Sequence, residues 1–374
     1  MKIPLVDLKA QYLSIKDEVD QSIRQTLENT QFILGPEVKA LEKEIAAYLG
    51  VKYAVGVASG TDALLISLLA CGIGSGDEVI TTPFTFIATS ETISRCGAVP
   101  VFVDIDLKTF NIDTAKIEKK ISKKTKAILP VHLYGEAANM DDIQRLARKY
   151  NLKVIEDCAQ ALGTGYRRDK VGSLGDAGCL SFFPSKILGA YGDGGMIVTN
   201  NEKIAEKSEI LRNHGGKDKY FVIVHGFNSR LDSLQAAILR VKLRHLNEWI
   251  EKRRQKAALL SKLLGKIAGI RVPEIAGYSY HVFNYYTLRV AGGERDKLQK
   301  HLNSQGIGTA IYYPMPLHLQ EVYRPLGHQE SDFPESERAA KEVLSLPMYP
   351  ELEDRQIEYI AGQIKQYFER LTAH

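Results

Sequence analysis

Seven short runs rich in apolar and β-branched residues punctuate the first two thirds of the chain: Tyr53–Val57, Glu78–Thr82, Pro100–Asp104, Lys126–His132, Lys153–Asp157, Gly178–Phe183 and Gly195–Thr199. Several are apolar throughout, the pattern of strands covered on both faces. Stretches with helical spacing lie between them. In Asp141–Tyr150, Ile143, Leu146, Ala147 and Tyr150 recur at helical spacing, and Asn139 can cap the start. Strand, helix, strand in repetition predicts a three-layer α/β sandwich with a mostly parallel central sheet. Ligands of such sheets sit beyond the carboxyl ends of the strands, so function is sought there.

The pattern changes after Ser229. Leu231, Leu234, Ile238, Val241 and further apolar residues to Ile250 predict one long amphipathic helix. It leads into a smaller α+β lobe with strands expected at Tyr285–Val290 and Gly308–Tyr312 and a last helix from about Asp354. The expected division is a large domain over 1–248 and a small one over 249–374, with the N-terminal segment free to pack on the small domain. The basic cluster Lys252, Arg253, Arg254 and Lys256 reads as a solvated helix face.

Net charge is +4, too mild to argue for nucleic acid but suited to an anionic small substrate. The opening MKIPLVDLKAQY lacks the pattern of a signal peptide, and no apolar stretch reaches the roughly 20 residues of a membrane helix. Four cysteines stand apart with no CxxC, which predicts reduced thiols, a cytoplasmic protein and no metal site.

Three strand ends carry chemistry. The first runs into Ser59, Gly60, Thr61 and Asp62 with a helix following at once, and a helix start offers unpaired N–H groups to a phosphate. The fifth ends in Asp157, a carboxylate behind apolar residues that calls for a cationic partner. The sixth ends near Ser181, with Lys186 and the glycine-rich loop Gly189–Gly195 just beyond. An amine, a buried anion and an anion hole are the parts of a pyridoxal phosphate site. A dinucleotide fingerprint is excluded, because GIGSGD (Gly72–Asp77) follows a helix and precedes a strand.

From end to end the chain resembles the DegT/DnrJ/EryC1/StrS nucleotide-sugar aminotransferases, fold-type I enzymes that use pyridoxal 5'-phosphate. The resemblance rests on FILGPEV, SGTDAL, GDEVITTPFTF, VHLYG, IEDCAQALG, SFFPSK, GDGGMIVTN, LRNHG, NSRLDSLQAAIL and YYPMPLHLQ, in matching order and spacing. Ile187 and Leu188 depart from the Asn-Leu or Pro-Leu usual after the lysine, which touches loop packing and not the amine.

The resemblance implies a role for each residue. Lys186 carries the cofactor as a Schiff base and shuttles the proton. Asp157 pairs with the pyridinium nitrogen, Gln160 sits against the ring or its hydroxyl, and Phe86 stacks on its face. Gly60, Thr61, Asp62 and Ser181 hold the phosphate, joined by Asn228 from a neighbouring subunit. Arg230 of that neighbour, with Tyr313 and His318, serves the substrate. His132 reads as structural. L-glutamate is the expected amino donor, pyridoxamine 5'-phosphate the half-reaction form, and a keto-sugar on dTDP or UDP the acceptor, most resembling 3-keto members. The apolar run Tyr220–Val224 suits burial against a partner, consistent with a homodimer that shares its sites. A sugar dehydratase of the same fold is the first alternative, but those relatives typically carry histidine in place of the lysine. A non-catalytic regulator that binds the cofactor is the second.

Overall fold

The computed structural model describes residues 1–216 and 220–372. All seven expected runs are strands of one sheet: β1 Tyr53–Val57, β2 Glu78–Thr81, β3 Val99–Phe102, β4 Thr125–Ile128, β5 Lys153–Asp157, β6 Ala177–Ser181 and β7 Gly195–Thr199. Their order across the sheet is β1-β7-β6-β5-β4-β2-β3. Only β7 runs antiparallel to its neighbours, β1 and β6. The carboxyl ends of the other six therefore meet the amino end of β7 at one edge.

Side chains alternate across the sheet and feed two cores. Ile80, Ile128, Val154, Leu180 and Val198 pack on one side with the helices Pro36–Leu49, Met140–Tyr150 and the first part of Ser233–Leu264. Val79, Ala127, Ile155, Cys179 and Ile197 pack on the other with Gly60–Ala70, Ala88–Arg95 and Glu202–Arg212. That is the expected three-layer α/β sandwich, with each strand apolar on both faces because both faces are covered. The helix Met140–Tyr150 begins as expected, with the Asn139 side chain accepting from the Asp142 N–H.

A third core gathers Ile3, Ala257, Leu260, Leu264, Tyr286, Leu288, Leu344 and Ile360. The helix Ser233–Leu264 is continuous over 32 residues and passes from the first core to this one between Ile250 and Ala257. Position 248/249 thus lies inside an unbroken helix. Ile3 reaches the same core, its strand-like contact with Ile307 tying the N-terminal segment to the C-terminal part.

Two sequence expectations are corrected here. Gly308–Tyr312 is not a strand: it makes one bridge, Ala310 to Ser345. The strand is instead Val343–Leu346, fully paired with Tyr286–Val290. Nor is the basic cluster wholly a solvated face: Lys252 is exposed, but the two arginines are not. Arg253 is buried, its guanidinium donating to the Phe283 and Met348 carbonyls, and Arg254 lies 3.7 Å over the Tyr280 ring. Among the described residues no helix is long and apolar enough to cross a membrane.

Candidate active site

A cavity of about 480 Å³ opens where the strand ends converge. Its lining includes Gly60 and Thr61 after β1, Thr85 and Phe86 after β2, Asp157 and Gln160 after β5, Ser181 and Lys186 after β6, and Gly194 before β7. Tyr313 closes it from the C-terminal part. The parallel strands deliver these residues from positions far apart in the chain to one edge.

The helix Gly60–Ala70 starts three residues earlier than its apolar pattern suggests, at the lip of the cavity. Ser59 caps it, its hydroxyl accepting from the Asp62 N–H at 3.0 Å. Gly60 and Thr61 keep the N–H groups that have no acceptor within the helix. Asp62 is not part of this lining: its N–H is taken by the cap and its carboxylate accepts from the Ser229 hydroxyl at 2.7 Å. A side chain at position 60 would set its Cβ 2.7 Å from the Ser181 Cβ, so glycine is what lets the helix start and Ser181 form one cradle. Gly60→Ala is expected to lower the stability of the cofactor-free protein by about 1–3 kcal/mol through overpacking, read from its urea midpoint. An unchanged midpoint would mean that the cradle can widen.

The glycine loop works the same way. A Cβ at Gly195 would strike the Ser59 carbonyl, and one at Gly189 the Pro184 carbonyl. These glycines admit the protein's own backbone, and Gly194 alone among those of the loop lines the cavity. Lys242, fully buried, donates to the Gly189 carbonyl at 2.6 Å and pins this loop from the long helix. Ile187 and Leu188 point into the core, so their departure from the usual pair is accommodated by packing.

Asp157 is 5% exposed, and burial pushes its carboxyl above the ordinary range. Hydrogen bonds from the Thr89 hydroxyl (2.8 Å) and the Ala159 N–H (3.1 Å), together with the Lys186 charge, oppose that shift. Gln160 is locked: its oxygen accepts from the Tyr134 N–H at 2.7 Å and its nitrogen donates to the Tyr313 hydroxyl at 3.1 Å. Phe86, half exposed at 55%, presents its ring to the cavity, 6.2 Å from that of Tyr313.

Besides Asp62, three residues expected at the site do not line the cavity of this chain. His318 turns inward, 1% exposed, with Nε2 3.2 Å from Glu337 and its ring 4.6 Å from Phe333. Desolvation lowers its pKa, and the hydrogen bond to Glu337 opposes that shift. Asn228 is exposed and bridges to Asn213 through the backbone, and Arg230 donates to the Asn213 side chain at 3.3 Å. Close by, Phe221, Val222, Ile223 and Val224 are exposed, while Lys217–Lys219 at the start of that loop lie outside the described residues.

His132 comes within reach of Glu156 and Cys158 in a buried group with metal-like spacing. The ring nitrogens of His132 and the oxygens of Glu156 are already committed. Glu156 accepts from the N–H groups of Gly172, Leu174 and Gly175 and from His132 Nε2, while His132 Nδ1 accepts from Ala138. The group is a hydrogen-bonded brace behind Asp157. Sequence reasoning overlooked Thr85, Thr89 and Tyr285; the signal for the first two is TTPFTFIATS, a threonine-rich stretch directly after an apolar strand.

A sequence model of the DegT/DnrJ/EryC1/StrS aminotransferase family matches residues 13–365. The chain belongs to this family. The aminotransferase is 51% identical over 370 residues to a pleiotropic regulatory protein of Geobacillus stearothermophilus, covering 98% of this chain and 99% of that one. It is 47% identical over 365 residues to the UDP-N-acetyl-3-dehydro-alpha-D-glucosamine 3-aminotransferase of Acidithiobacillus ferrooxidans, covering 97% of each. A crystal structure of NtdA from Bacillus subtilis with the bound cofactor PMP superposes with a TM-score of 0.92 at 33% identity, over 98% of the aminotransferase and 85% of that chain.

Proposed function

We propose that the protein transfers the amino group of L-glutamate to the keto carbon of a nucleotide-linked sugar, with pyridoxal 5'-phosphate held in the cavity and the 3-keto position of a dTDP- or UDP-hexose as its target. The observation that carries this reading is the convergence of Lys186, Asp157 and the Gly60–Ser181 cradle on one cavity. The donor set fits the cofactor. The cradle offers N–H and hydroxyl groups to a phosphate, Asp157 offers an anion to a ring nitrogen, and Lys186 offers an amine.

When bound, the cofactor supplies a carbonyl that captures amines and a ring that takes up an electron pair. The chain's residues do the rest. Gly60, Thr61 and Ser181 anchor the phosphate end. Phe86 shields one face from water. Gln160, fixed at both ends of its amide, orients what it touches. Lys186 Nζ takes the proton from the carbon of the donor and returns one to the carbon of the sugar. Its presence separates the protein from dehydratases that carry histidine there. A purely regulatory role, suggested by the name of one relative, would give no reason to keep this amine beside a buried anion. The cytoplasm suits four free cysteines, two of them buried.

Adding L-glutamate to the cofactor-loaded protein should bleach the visible band, and a panel of dTDP-, UDP- and GDP-keto-sugars should restore it. A band inert to every amine donor would leave only the regulator.

The shared homodimer belongs to the same proposal. Exposed Phe221–Val224 beside Asn228 and Arg230 form an apolar patch next to polar groups that serve no site in their own chain. A two-fold interface presents such a patch twice and completes both sites together. Lys186→Ala mixed with a variant lacking the Asn228 and Arg230 side chains should recover toward about a quarter of wild-type activity under random pairing. No recovery despite proven subunit exchange would place these residues in the service of their own chain.

A further inference from the structure

Asp157 has a neighbour whose chemistry the proposed reaction does not yet use. Thr89 lies at the start of the helix Ala88–Arg95 and is fully buried. Its hydroxyl donates to Asp157 Oδ2 at 2.8 Å. Thr89 Oγ1 is also 3.0 Å from the Thr85 hydroxyl, and Thr85 lines the cavity beside Phe86.

The direction of this chain follows from counting protons. A hydroxyl has one hydrogen to give. Thr89 gives its hydrogen to the carboxylate, so in the second bond Thr85 must be the donor. The order is Thr85 O–H to Thr89 Oγ1, then Thr89 O–H to Asp157 Oδ2. Each bond polarises the next in the same sense, with positive ends toward the anion. The other carboxylate oxygen, Oδ1, is held by the Ala159 N–H. Both oxygens are thus restrained by donors that also favour the charged form. No other side-chain hydroxyl among the described residues donates to Asp157 in this structure.

We propose that Thr89, with Thr85 behind it, is the positioning residue of Asp157, fixing the carboxylate in place as an ionised acceptor for the cofactor's ring nitrogen. This rests on the reading of Asp157 given above. It assigns a purpose to the threonines of TTPFTFIATS: they make a polar wire inside an apolar wall, and valine of equal shape would break it. The wire also explains how Phe86 and Asp157 are kept in register, since Thr85 is adjacent in sequence to the one and linked through Thr89 to the other.

The test compares ligand binding to the full chain freed of cofactor. The ligands are pyridoxal 5'-phosphate and its 1-deaza analogue, in which carbon replaces the ring nitrogen. Thr89→Val should weaken pyridoxal phosphate binding about tenfold, as expected for a lost hydrogen bond to a charged group. Thr89→Ser should restore binding to within about twofold, because it keeps the donor. Neither change should alter binding of the deaza analogue. Asp157→Ala serves as the reference. If it weakens pyridoxal phosphate binding while Thr89→Val does not, the positioning role falls and the reading of Asp157 stands. Equal weakening of both ligands by Thr89→Val also overturns the proposal, since packing alone would explain it. Wild-type binding of both ligands by Asp157→Ala overturns the reading of Asp157 and this proposal with it.

Discussion

Lys186→Ala is expected to fold, to bind pyridoxal phosphate reversibly, and to lose turnover by about a thousandfold or more, because covalent capture and proton transfer fail together. The structure isolates this amine. Among the cavity's described lining residues Lys186 is the only lysine, and Thr61, Ser181 and Ser185 are too weakly basic to replace it. Its backbone N–H donates to the Phe183 carbonyl at 2.8 Å, closing a turn. Ile187 and Leu188 then bury the chain behind it. The side chain is thus delivered by a rigid turn, and its removal deletes chemistry while leaving the scaffold in place. An unchanged melting temperature with activity lost is the expected pair of results. Activity within about tenfold of wild type would fall short of the 10²- to 10⁴-fold typical of a lost acid–base group and remove Lys186 from the mechanism.

Asp157→Asn should cost about a hundredfold in rate, the scale found when a charge-stabilising group is deleted from a water-excluded site. Stability should move the other way or not at all. Burial raises the Asp157 carboxyl in the folded protein, so folding holds its proton more tightly than the unfolded chain does. Stability contributed by that proton is present below the unfolded value of 3.8 and is lost as pH rises toward the folded value. Above that range the raised carboxyl weighs against folding of the cofactor-free wild type, and the amide, which does not titrate, carries no such cost. The cofactor-free variant should show a urea midpoint at pH 7 equal to or above that of wild type. A slower enzyme that is no less stable would mark a residue kept for chemistry. An unchanged rate of glutamate bleaching would contradict the role.

What the sequence made legible follows from where each signal is local. The strands β1 to β7 announce themselves because both faces are covered and the runs are almost wholly apolar. Gly60, Asp157, Ser181 and Lys186 stand out in the sequence because they follow the ends of those runs, and the structure brings all four to one cavity. The strand Val343–Leu346 escaped notice: Ser345 interrupts it, and only the structure shows its hydroxyl paired with that of Thr287 at 2.8 Å. Arg253 and Lys242 look like ordinary helix-surface cations until the carbonyls they meet, Met348 and Gly189, arrive from distant segments. His318 lies away from its own chain's cavity for a similar reason. Nothing in PMPLHLQ tells which way the short turn Leu317–Leu319 faces, and it faces the buried cluster of Phe102, Tyr323 and Phe333.

The helix Ser233–Leu264 has a mechanical meaning. At 1.5 Å per residue it is a beam about 48 Å long, set into one core at Ala236, Leu239 and Leu246 and into another at Ala257, Leu260 and Leu264. It holds no proline or glycine at which to flex. A hinge between the two bodies would have to bend this beam or pull one end from its socket, with Arg253 anchored beside the joint. Any opening and closing around a bulky sugar nucleotide is thereby left to the loops at the sheet edge, and strain in one core has a direct path into the other.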